Sequence, residues 1–116
     1  MKVLIVEDEE DIREVISEFL TIMNAEYDTA ANGKEAFEAI KSSSYDMILT
    51  DLKLPDVYGI EIVKKVREQD SEIFIVVISG YTEKETKEKV FNAGANYYIE
   101  KPFSFTEISK IIDLVK

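Results

Sequence analysis

Four apolar runs in this chain each end on a charged or hydroxyl residue, and that arrangement leaves few folds open. Val3-Leu4-Ile5-Val6 runs into Glu7-Asp8, and Met47-Ile48-Leu49-Thr50 into Asp51. Ile75-Val76-Val77-Ile78 runs into Ser79-Gly80, and Tyr97-Tyr98-Ile99-Glu100 into Lys101-Pro102. Strands covered by helices on both faces are continuously apolar rather than alternating, so each run reads as a buried strand of a parallel sheet. Ligands of open parallel sheets collect outside the carboxyl ends of the strands. Three carboxylates, a hydroxyl and an ammonium therefore converge at one edge. That set suits metal-assisted phosphoryl transfer.

Between the runs, apolar residues recur at helical spacing. Ile12, Val15, Ile16, Phe19, Leu20 and Met23 predict a first helix from about Glu9 to Met23, with Val15, Ile16 and Phe19 as its buried stripe. Tyr27 to Ala31 reads as a weaker second strand. Asn32-Gly33-Lys34-Glu35 is a capped start for a second helix that buries Ala36, Phe37 and Ile40, and Ser42-Ser43-Ser44 ends it. Pro55 to Gly59 forms a loop before a third helix that presents Ile62, Val63 and Val66 to the sheet. The fourth strand covers Ile73 to Ile78.

Thr82 with Glu85, and Ser104 with Glu107, make capping boxes for the last two helices. The fourth helix, about Glu83 to Asn92, is charged almost all round. Val90 and Phe91 supply its apolar grip, so it should be the most loosely held helix. Gly94 suits the left-handed position that ends it. The fifth helix buries Ile108, Ile111, Ile112 and Val115. The expectation is one α/β domain over residues 1–116, a (βα)5 unit whose right-handed crossovers place helices on both faces.

Composition removes much chemistry. Without cysteine there is no disulfide frame, thiol nucleophile or zinc-thiolate site. Without histidine there is no imidazole acid–base catalyst and no Ser-His-Asp triad. A net charge of −10 disfavours direct binding to nucleic acid or anionic lipid. Part of that excess is Glu7-Asp8-Glu9-Glu10-Asp11, whose mutual repulsion a divalent cation would relieve. The apolar runs are far shorter than a membrane span, and the chain enters a strand at once, leaving no room for a signal peptide. A cytoplasmic location is the expectation.

Each marker has an ordinary explanation by itself. Glu7-Asp8 would serve a helix N-terminus, Asp51 a loop, Ser79 a helix cap and Lys101-Pro102 a turn. Their joint order at successive strand ends is harder to explain that way. The sequence resembles the receiver domain of two-component response regulators, of the single-domain, chemotaxis-regulator-like kind, from Lys2 to Val115. The matching segments are Val-Glu-Asp-Glu at 6–9, Leu-Thr-Asp-Leu-Lys-Leu-Pro-Asp at 49–56 with Gly59, Ile-Ser-Gly at 78–80, and Gly-Ala-Asn-Tyr-Tyr-Ile-Glu-Lys-Pro-Phe at 94–103.

The resemblance implies a flavodoxin-like, doubly wound parallel sheet of five strands in the order 2-1-3-4-5. It implies that Asp51 accepts a phosphoryl group from a histidine kinase or phosphotransfer protein. Mg²⁺, with Mn²⁺ as a further candidate, would be bound by Asp8, Glu7, Asp51 and the backbone carbonyl of Lys53. Ser79 and Lys101 would contact the phosphoryl group, and Tyr98 would be the aromatic switch, acting on the face of helix 4, strand 5 and helix 5. Lys53 and Tyr81 would govern water access to the phosphoryl group. Kinase docking would fall on Ile12 and on Pro102 and Phe103. The Lys101-Pro102 bond would be cis. Such a protein promotes its own phosphorylation and dephosphorylation without being a conventional multiple-turnover enzyme. Glu7 stands where Asp is commoner and Ser79 where Thr is commoner, and both keep the chemical group.

Other readings fit less well. A haloacid-dehalogenase-type phosphatase needs an acid two residues after its nucleophile, where this chain has Lys53. An FMN carrier of the same topology needs a hydroxyl- and Gly-rich loop after the first strand, and Glu-Asp-Glu-Glu-Asp there would repel a phosphate. A pseudo-receiver, an interaction module that carries no phosphate, is opposed by the presence of Asp8, Asp51, Ser79 and Lys101 together.

Overall fold

The computed structural model describes residues 1–81 and 83–115. Strands and helices alternate: β1 Lys2–Val6, α1 Glu10–Ile22, β2 Glu26–Ala30, α2 Gly33–Ser42, β3 Met47–Asp51, α3 Gly59–Gln69, β4 Phe74–Ser79, α4 Lys84–Ala93, β5 Tyr97–Glu100 and α5 Phe105–Val115. All pairings are parallel and the strand order is β2-β1-β3-β4-β5. That is the flavodoxin-like order, with its switch point between β1 and β3.

Alternate residues of the central strands feed two cores. Leu4, Val6, Ile48, Ile75 and Val77 meet Ala36 of α2, Ile62, Val63 and Val66 of α3, and Val90 of α4. Val3, Ile5, Met47, Leu49, Val76 and Ile78 meet Ile16 and Leu20 of α1 and Ile108, Ile111 and Ile112 of α5. Both faces of β1, β3 and β4 are thus covered, which is why those runs carry no polar alternation.

Several details depart from the sequence-based expectations. β5 is an edge strand in which Ile99 is buried and Tyr97 is exposed, not a run buried on both faces. Val15 is 40 % exposed, so the buried stripe of α1 is Ile16 and Leu20 with Phe19 packed beside them. Phe91 is 43 % exposed, which leaves Val90 as the buried residue of α4. Val115 packs against the core while only partly buried. β2 and β4 are each displaced by one residue, because β2 pairs Lys2 with Glu26 and β4 pairs Met47 with Phe74. The Thr82–Glu85 box lies outside the described residues. The Ser104–Glu107 box is present in both directions, at 3.2 and 3.3 Å.

Helix α4 is held at its far end by a side chain that the periodicity does not reveal. Arg67 of α3 donates to the Gly94 carbonyl from Nε at 3.1 Å and from Nη2 at 2.7 Å, and Nη1 reaches the Ile73 carbonyl at 2.9 Å. Gly94 has φ = 120°, a conformation that other side chains avoid, and it closes α4 as expected.

Candidate functional site

Parallel register brings the four marker positions to one edge. Val6 pairs with Thr50, Asp51 with Ile78, and Ser79 with Glu100, so the residues just beyond share a level. The backbone is tied there as well: Glu7 N donates to Ala30 O at 3.0 Å and Lys101 N to Ser79 O at 2.9 Å. Arg13, one turn into α1, donates from Nη1 to the Glu7 carbonyl at 2.8 Å and so anchors the turn between β1 and α1.

Glu7, Asp8 and Asp51 each place a carboxylate oxygen within 4.8 Å of the others. Lys101 Nζ lies 3.1 Å from Asp51 Oδ2 and 3.5 Å from Glu7 Oε1. Asp51 Oδ1 accepts from Leu52 N at 2.7 Å. Asp8, Asp51 and Lys101, together with Glu9, Lys53, Leu54 and Pro55, border a cleft of about 330 Å³.

The electrostatics are lopsided. Glu7 is 2 % exposed, and burial, reinforced by the Asp51 carboxylate, pushes its carboxyl up to about 8. Burial pulls the Lys101 ammonium down, but Asp51 and then Glu7 reverse that and leave it above its ordinary value. Among the described residues Glu7 Oε1 is a buried oxygen without a hydrogen-bond donor. Its charged neighbour is the Lys101 ammonium, at 3.5 Å. Three converging carboxylates, one of them buried, offer hard oxygens that fit a small divalent cation.

Other predicted site residues sit around this cleft rather than in it. Ser79 is buried, and its Oγ accepts from Tyr81 N at 3.0 Å. Tyr98 is half-buried and donates its hydroxyl to the Tyr81 carbonyl at 2.6 Å. Lys87 of α4 forms an ion pair with Glu100 and stands 5.7 Å from the centre of the Tyr98 ring. Tyr81 is 45 % exposed and lines a separate groove with Leu52, Tyr58 and Ile60, while Lys53 borders the acidic cleft. Ile12, Pro102 and Phe103 come together with Asp11, Val15 and Lys101 around a groove of about 480 Å³. The Lys101-Pro102 bond is cis. Sequence reasoning missed Arg13, whose charge on a mixed helix face carried no signal, and Val15, whose exposure follows from the helix phase.

A family model for the response regulator receiver domain matches residues 3–113. The chain belongs to that family. The receiver domain is 36 % identical over 107 residues to the transcriptional regulatory protein SrrA of Staphylococcus aureus, a match covering 92 % of this chain and 44 % of that protein. It therefore spans less than half the length of the curated relatives it matches. Among solved structures it is similar to the Vibrio cholerae chemotaxis protein CheY4, at 33 % identity and a TM-score of 0.91, over 99 % of this chain and 98 % of that one. It is also similar to the Thermotoga maritima response regulator TrrA in complex with Mg²⁺-BeF, at 30 % identity and a TM-score of 0.89, with the same coverage of 99 % and 98 %. Receiver domains of this family bind Mg²⁺ at an acidic pocket and are phosphorylated by histidine kinases. Among the described residues no helix is long and apolar enough to cross a membrane.

Proposed function

We propose that this receiver domain takes a phosphoryl group onto Asp51 from a histidine kinase or phosphotransfer protein, with Mg²⁺ held by Glu7, Asp8, Asp51 and the Lys53 carbonyl. The observation that carries the reading is the position of Lys101, whose ammonium lies 3.1 Å from one Asp51 oxygen beside a cluster of three carboxylates. An Asp51 oxygen attacks phosphorus, the phosphorus–nitrogen bond to the donor imidazole breaks, and the imidazole leaves with the electron pair. The donor histidine comes from the partner, because this chain has none. When bound, Mg²⁺ would supply positive charge that offsets the repulsion between the carboxylates and the incoming phosphoryl group. Lys101 supplies a second positive charge, and the open cleft admits the donor.

The Ser79 hydroxyl turns from Tyr81 N to a phosphoryl oxygen. That movement loosens the loop after β4, to which Tyr98 is also bonded, and shifts the face of α4, β5 and α5. The acidic surface supports protein partners over nucleic acid or membrane. Calorimetric titration with Mg²⁺ and then with beryllofluoride, a phosphoryl mimic, tests the reading. Tight beryllofluoride binding that needs Mg²⁺ and is lost in Asp8→Asn supports it. Binding that survives chelation or the substitution refutes it.

A further inference from the structure

The loop after β3 is folded back on itself and fastened at its tip to a different helix. Gly59 N donates to Leu52 O at 2.6 Å, Leu54 N donates to Val57 O at 3.2 Å, and Lys53 bridges Tyr58 in antiparallel fashion. Gly59 is pressed so close that a Cβ on it would lie 2.1 Å from the Asp51 carbonyl oxygen. At the tip, Asp56 Oδ1 accepts from Gly33 N at 2.8 Å and Oδ2 accepts from Lys34 N at 3.0 Å. Val57 packs on the same turn, where a Cβ on Gly33 would lie 2.4 Å from its Cγ2.

Helix α2 already has a local cap. Asn32 Oδ1 accepts from Glu35 N at 2.9 Å, and Glu35 Oε1 accepts from Ala31 N at 3.1 Å. The two remaining first-turn donors are served by a carboxylate from a loop 22 and 23 residues away. Its charge also faces the positive end of the helix. The Gly33 N–H bond holds the Asp56 carboxyl below the usual carboxylate range, so it keeps that charge.

We propose that Asp56 is a positioning residue for the cation side of the site, because it pins to α2 the loop that carries the Lys53 carbonyl. The inference rests on the Mg²⁺ reading above. Groups that orient metal ligands from behind change metal affinity by about 10–100-fold when removed. An Asp56 that merely caps α2 would change stability and leave affinity alone.

Asn32→Ala separates the two roles, since it uncaps the same helix without touching the loop. Mg²⁺ titration calorimetry should show Asp56→Ala weakened by about tenfold or more, Asp56→Asn in between, and Asn32→Ala close to wild type. Hydrogen exchange of the metal-free proteins should be faster at residues 53–58 in Asp56→Ala than in Asn32→Ala. Equal affinities in wild type and both Asp56 variants, or equal losses in Asp56→Ala and Asn32→Ala, overturn the positioning role. A wild type that binds no Mg²⁺ instead removes the functional reading, and this inference with it.

Discussion

Tyr98 donates its hydroxyl proton to the carbonyl of Tyr81 at 2.6 Å, and Tyr81 in turn donates its N–H to Ser79 Oγ at 3.0 Å. One loop therefore joins the hydroxyl beside the acidic cleft to the aromatic ring of β5. Phosphorylation that draws Ser79 toward the cleft must disturb both bonds. Hydrogen exchange with and without a phosphoryl mimic should change most within residues 83–98, where Val90 is the one buried residue of α4 and Arg67 holds its far end. Tyr98→Phe should reduce that change. A response confined to α2 and α3 would contradict the coupling.

The helical spacing assigns Val15 to the buried stripe and the resemblance assigns Ile12 to kinase docking, and the structure reverses the first of these. Val15 is exposed, while Ile12 is partly buried against the core that α1 shares with α5 and also lines the groove beside Lys101. Val15→Ala should slow phosphotransfer from a kinase while altering stability by less than about 0.5 kcal/mol. Ile12→Ala should slow it too, with a stability loss below the ~2–5 kcal/mol of a fully buried site. Unchanged phosphotransfer in both variants would argue against docking on this groove.

The central strands were legible because both their faces are covered. The apolar runs of β1, β3 and β4 announce themselves, and the acids that end β1 and β3 fall at one edge once the register is parallel. β5 misled because Tyr97-Tyr98-Ile99 looks equally apolar, yet an edge strand leaves Tyr97 in solvent. Arg67 and Asp56 were unreadable for another reason. Their partners lie 27 and 23 residues away, and such contacts depend on how loops close rather than on periodicity.

Tyr45 offers a pH probe remote from the cleft. Burial, then its bond to Asp28 at 2.6 Å, raises its phenol from 10.0 to about 12. The folded state keeps a proton that the unfolded chain loses, so this contribution is complete below pH 10.0 and is lost as pH rises toward 12. Absorbance titration should find one of the six tyrosines ionising near 12, and Tyr45→Phe should remove it. A wild type whose phenols all ionise near 10.0 would contradict the burial and bond seen here.

Lys53 borders the acidic cleft, whereas Tyr81 lines the neighbouring groove, so the two should not contribute equally to water exclusion. Hydrolysis needs a water in line with the bond from Asp51 to phosphorus. The phosphorylated protein should decay faster as Lys53→Asn/Tyr81→Glu, with Lys53→Asn supplying the larger share. Decay unchanged or slowed in the double variant would rule out shielding.

The position of the phosphoryl group is the most direct test. After incubation with a small phosphodonor and Mg²⁺, intact mass should rise by one phosphate. Reductive trapping should then place that phosphate on Asp51. Asp51→Ala and chelated wild type should show no such mass. Labelling that persists in either, or maps to another carboxylate, would contradict the account.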